Sequence, residues 1–128
     1  MGDCYLDPAL RDHVVPLAQR AASRSLRTLA RGSSLPLPDA DFVRMFLWWK
    51  NGRGRADVDL SAAMFGPNFD FIDALTYYRL QSYGGYHSGD IVDAPQGAAE
   101  FIDLDLERLR GRGVRFVVMV LNLSLIHI

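Results

Sequence analysis

Beyond Pro38 the chain alternates apolar and polar positions with the two-residue period of β-strands. Phe42 to Trp49 is rich in aromatic and apolar side chains. It runs into Lys50-Asn51-Gly52-Arg53-Gly54-Arg55, whose glycines tolerate positive φ, so a first strand and a turn are predicted there. Val58, Leu60 and Ala62 then alternate with Asp57, Asp59 and Ser61, and Gly66-Pro67-Asn68 closes that strand. Ala74 to Leu80, with the paired Tyr77 and Tyr78, reads as another strand, and Gly84-Gly85 as a break. Tyr86 to Asp90 reads as a short strand or extended loop, and Ile91 to Ala99 as a loop containing Pro95 and Gly97. Phe101 to Leu106 alternates without a fault, so Ile102, Leu104 and Leu106 are expected to face the core. Val114 to Leu121 is nearly all apolar, which predicts a central strand buried on both faces. A succession of roughly six short strands separated by turns predicts an all-β sandwich or barrel.

The first third has a different period. Asp7-Pro8 offers a cap followed by a proline at the first helical position, and a helix is predicted over residues 17–31, stopped by Gly32. Ala18, Ala22, Leu26 and Leu29 form one apolar stripe, and Arg20, Arg24, Arg27 and Arg31 line another side. Gly32-Ser33-Ser34-Leu35-Pro36-Leu37-Pro38 interrupts regular structure and reads as a linker. The expected organisation is a helical arm and linker over residues 1–38 and a β domain over 39–122. Residues 123–128, Leu-Ser-Leu-Ile-His-Ile, match one reading frame of a widely used transposon-end sequencing adapter and are expected to be a non-native tail. The β domain is then expected to be incomplete, because a central strand ending a domain leaves a sheet edge open.

Composition narrows the function classes. With 49% hydrophobic and 23% charged residues in 128, the chain is ordinary globular material, which excludes extended disorder. The apolar run Phe116 to Leu121 is far shorter than the roughly 20 residues of a spanning helix. The first seven residues lack the character of a secretory signal, so the cytoplasm is the expected compartment. A lone Cys4 and three scattered histidines, His13, His87 and His127, exclude an internal disulfide and a Cys/His zinc set. Residues 1–56 carry nine basic and five acidic side chains, whereas residues 57–128 carry five basic and ten acidic. An acidic body repels phosphates and suits cations, so no nucleic-acid partner is expected for the β domain.

The carboxylates of that body fall into Asp57-x-Asp59, Asp90-x-x-Asp93, and Glu100 with Asp103 and Asp105 beyond it. Strand period places Asp57 and Asp59 on one face, roughly 6.5–7 Å apart. Hard oxygens so gathered repel one another unless a cation lies among them, and Ca²⁺ takes six to eight oxygen ligands at about 2.3–2.6 Å. Gly89, in the turn His87-Ser88-Gly89-Asp90, permits backbone carbonyls to turn inward. A bare DxD is also what a solvated strand face looks like, and Asp103 and Asp105 are read that way; no EF-hand spacing occurs.

The ordered series Asp57-Val58-Asp59-Leu60-Ser61-Ala62, Tyr77-Tyr78, His87-Ser88-Gly89-Asp90, Glu100 leading into Ile102 to Leu106, and Val114 to Asn122 resembles the TerD domain of tellurium-resistance and stress-response proteins. The resemblance covers about half of the chain. It implies a β-sandwich that binds calcium through acidic loops, without catalysis, in a bacterial stress system whose other proteins would be its partners. Asp57 and Asp59 match the family's DxD, Asp90 the aspartate of its H-[ST]-G-D turn, and Glu100 the acidic residue closing the next loop. The chain departs from the pattern at Ile91, where many members have asparagine, and in the loop 93–99, which offers fewer oxygens; Asp93 is a further candidate ligand. The expected set is Asp57, Asp59, Asp90, Asp93 and Glu100, with Ca²⁺ as the ion. The competing expectation is a metal-free protein-interaction β-sandwich whose contact is the arginine helix or Trp48-Trp49. An enzyme is not expected, since His87, Ser88 and Asp90 share one short turn and lack the separate supports of a catalytic relay.

Overall fold

The computed structural model describes Pro8, Gly32 and residues 34–126, so the predicted arginine helix lies outside the described residues. The chain divides into two compact units, Met1–Pro38 and Asp39–Ile128, and the second carries the β structure. Its elements are β1 (Phe42–Trp49), β2 (Arg55–Phe65), β3 (Phe71–Leu75), β4 (Gln81–Ser82), β5 (Gly85–His87), β6 (Ala98–Asp105), α1 (Leu106–Gly111) and β7 (Phe116–Ile126). One antiparallel sheet has the order β1-β6-β5-β4, and a second has the order β3-β2-β7. The chain is thus mainly β among the described residues.

Alternation explains how the two sheets share a core. On β2, Leu60, Ala62 and Met64 are fully buried while their neighbours are half-exposed. On β6 the buried positions are Glu100, Ile102 and Leu104. These apolar side chains join Leu75 of β3, Leu109 of α1 and Val114 in one cluster. Full burial of a leucine, isoleucine or methionine contributes about 1.5–3 kcal/mol, so this cluster is the main source of cohesion between the sheets. Gly85 is required where the sheets approach, because a Cβ there would collide with the Leu75 side chain.

Three expectations are corrected. Phe101 to Leu106 is not strand throughout: Asp105 turns to accept a hydrogen bond from the Arg108 N–H at 2.9 Å, capping α1, so Leu106 opens a helix. Tyr77 and Tyr78 are not strand residues but form a tight turn closed by Thr76 and Arg79, their rings edge to face at 4.8 Å. Trp48 and Trp49, by contrast, divide as expected of neighbouring aromatics on one strand. Trp49 is buried, with Nε1 donating to the Ala56 carbonyl at 3.1 Å, whereas Trp48 is 60% exposed.

The third correction concerns β7. It pairs only with β2, so it is an edge and not a central strand. Its register sets Val117, Met119, Leu121 and Leu123 beside the core-facing residues of β2, yet of these only Val117 packs on the core. Met119, Leu121 and Leu123 are exposed, as are Phe116, Val118 and Val120 on the other face. An apolar run states that a strand resists water, but not which strand lies beside it. The backbone of residues 123–126 continues β7 along the start of β2. Among the described residues no helix is long and apolar enough to cross a membrane.

Candidate metal centre

Three of the five expected ligands converge. Asp57 and Asp59 project from the same side of β2, opposite Ser124 and Asn122 of β7. Asp90 arrives from the loop after β5, and the three residues present carboxylate oxygens that all lie within 4.8 Å of one another. Oxygens ligating one Ca²⁺ lie on a sphere of about 2.4 Å radius, so their mutual separations cannot exceed about 4.8 Å. The trio meets that bound, and its donors are the hard oxygens that this cation takes.

The loop reaches the cluster because β2 is longer than its partner. Pairing of β2 with β3 begins at Ala62 and Leu75, and the earlier part of β2 has no strand on that side. Residues 88–97 lie there instead. Arg55 Nε donates to the Val92 carbonyl at 2.8 Å, and the Asn51 N–H to the Ala94 carbonyl at 2.9 Å. Gly89, at φ 110°, makes the turn that delivers Asp90.

The electrostatics of the cluster are unfavourable as it stands. Asp57 Oδ1 is shut off from solvent and has no hydrogen-bond partner. Desolvation, followed by the charges of Asp59 and Asp90, raises the Asp57 carboxyl above its ordinary value, partly offset by Arg55. Asp59 is better provided for, since Asn122 Nδ2 donates to its Oδ2 at 3.3 Å. A cation among the three carboxylates would supply what Asp57 lacks.

Asp93 and Glu100 stand outside this group. Asp93 is exposed and accepts a hydrogen bond from Asn51 Nδ2 at 2.7 Å. Glu100 is fully buried on the inner face of β6, where Oε2 accepts from the Leu60 N–H and Oε1 from the Ile91 N–H, each at 3.0 Å. It points into the protein, because strand alternation assigns position 100 to the same face as Ile102 and Leu104.

Two polar residues not singled out in the sequence hold the surroundings. Asn51 accepts at Oδ1 from the N–H groups of Ala56 and Ala94, joining the β1–β2 loop to the acidic loop. Only its place in a turn-prone stretch marked it. Asp73, buried on β3, accepts from Arg79 Nη1, Ser82 Oγ and the Ala74 N–H and so ties β3 to the β4 hairpin. No local pattern announced it.

Comparison of the chain with protein-family models, with curated proteins and with solved structures finds no match.

Proposed function

We propose that this chain is a calcium-binding, non-catalytic module of the TerD type, in which ion binding orders the acidic loops and fixes a surface for a protein partner. One observation carries the calcium reading. Asp57, Asp59 and Asp90 hold carboxylate oxygens within 4.8 Å of one another, and the occluded Oδ1 of Asp57 lacks any partner. The TerD assignment, with its bacterial stress and tellurite-tolerance setting, rests on the motif series in the sequence. Asp57, Asp59 and Asp90 would hold the ion, and the remaining ligands of a calcium site would come from carbonyls and water.

The absence of catalysis in this reading is supported by the state of the turn. His87 is fully buried with both ring nitrogens engaged by backbone groups, and Ser88 Oγ accepts from the Phe101 N–H at 2.9 Å. Neither group is placed to activate a nucleophile.

Calcium titration with thermal melting tests the proposal. Binding to the native state is expected to raise the melting temperature, by the equivalent of about 2.7 kcal/mol at a hundredfold excess over Kd, and Asp90→Asn is expected to abolish the rise. An unchanged melting temperature in millimolar calcium, with Asp90→Asn indistinguishable from the parent, overturns it. That result favours the second reading, a metal-free protein-interaction module, whose supporting observation is the exposed row Phe42, Phe46 and Trp48 on β1.

A further inference from the structure

Leu60 poses a problem that the strands do not solve. β2 has β7 along one side, with Leu121 opposite Leu60, but on the other side its pairing with β3 starts only at Ala62, so at Leu60 no strand lies there. The residue is fully buried, and a buried backbone group without a partner is costly because it has given up its hydrogen bond to water. Two side chains from the other sheet take the place of the missing strand. Glu100 Oε2 accepts from the Leu60 N–H at 3.0 Å, and His87 Nε2 lies 2.7 Å from the Leu60 carbonyl oxygen.

The same two side chains grip the acidic loop at their other ends. Glu100 Oε1 accepts from the Ile91 N–H at 3.0 Å, and His87 Nδ1 accepts from the Gly89 N–H at 3.0 Å. Because Nδ1 accepts, the ring proton is on Nε2, which donates to Leu60; the 3.9 Å approach of His87 Nε2 to Glu100 Oε2 is therefore not an ion pair. Gly89 and Ile91 are the residues on either side of Asp90, and Leu60 is the residue after Asp59. Two fully buried side chains thus hold the backbone next to two of the three clustered aspartates.

We infer that Glu100, with His87, is a positioning clamp that sets the separation of Asp59 and Asp90, an inference that rests on the calcium reading of the cluster. Glu100 acts from behind the site and touches no ion. A carboxylate here suits the task because its two oxygens accept from two amides at once, which a glutamine oxygen facing one amide cannot reproduce. Residues that orient metal ligands from outside typically alter affinity 10- to 100-fold when changed.

The test uses the full 128-residue chain, with calcium titration and Tb³⁺ luminescence as binding readouts. Glu100→Gln, chosen to keep the side-chain volume, is expected to weaken calcium at least tenfold while the circular dichroism spectrum stays that of the parent. Asp103→Asn, on the opposite face of β6, is expected to leave Kd unchanged. A folded Glu100→Gln chain with the parent Kd overturns the clamp. A second measurement is independent of metal: amide exchange in chelator is expected to be slow at Leu60, Gly89 and Ile91 in the parent and faster at Leu60 or Ile91 in Glu100→Gln. Fast exchange at these amides in the parent also overturns the clamp, variants aside. If neither the parent nor Asp90→Asn binds calcium, the calcium reading falls. The exchange result then decides the clamp by itself.

Discussion

A carboxylate oxygen of Asp57 on β2 and one of Asp90 on the loop after β5 lie within 4.8 Å of each other, although 33 positions separate the two residues in the chain. Burial of Asp57 makes its charge costly to hold, and the neighbouring charges of Asp59 and Asp90 add to the cost.

Asp57 therefore sets a pH dependence of defined sign. Its folded-state pKa is raised, so the native state binds more protons than the unfolded chain between the two values. Stability falls as pH climbs from the ordinary carboxylate range through the raised value. In chelator at neutral pH, Asp57→Asn is expected to stabilise the chain, by no more than about 1 kcal/mol because water screens the site. The same change is expected to remove the calcium-dependent rise. A lower melting temperature for Asp57→Asn in chelator contradicts this account.

Arg44 and Asp103 predict the opposite sign. Arg44 Nε and Nη2 donate to Asp103 Oδ1 and Oδ2 at 2.6 and 2.7 Å, and the guanidinium also lies over the Phe101 ring at 4.1 Å. These hydrogen bonds hold the Asp103 carboxyl below its ordinary value, so its contribution is present above the unfolded pKa and is lost as pH falls through the folded one. Carboxyl NMR titration is expected to give a depressed midpoint for Asp103 that moves upward in Arg44→Met. An identical midpoint in the two chains would discount the fork.

The cap on α1 is a separate test of the short helix. Asp105→Ala removes the acceptor for the Arg108 N–H, and capping losses of this kind cost about 0.5–2 kcal/mol. Urea denaturation is expected to register a loss of about 1 kcal/mol with an unchanged slope. Calcium affinity should stay the same, since α1 contributes nothing to the cluster.

The edge formed by β7 predicts association. An uncharged run of eleven residues, Phe116–Ile126, offers one row of backbone groups without a strand partner among the described residues, and Val118 and Val120 stand exposed beside it. Charged residues are the usual protection of such an edge. Sedimentation velocity is expected to reveal concentration-dependent association that Val118→Lys and Val120→Lys reduce. A parent that remains monomeric across the accessible concentrations would contradict this.

What the amino-acid order determined by itself is what neighbours along the chain decide. Period-two alternation marks Phe42–Trp49 as a strand, sends Ile102 and Leu104 inward, and puts Asp57 and Asp59 on one side of β2. Leu106 escaped that logic because Asp105 has the side chain of a helix cap as well as the position of a strand residue. Everything that depends on a distant partner was decided by the tertiary structure. The end of β3 at Leu75 leaves room for the loop bearing Asp90; the inward face of β6 turns Glu100 from an expected ligand into an acceptor for Leu60 and Ile91. The place of β7 at an edge follows from which strands pair with it. Local sterics fix the direction of a side chain, whereas its neighbours depend on contacts between segments tens of residues apart, which no window of sequence contains.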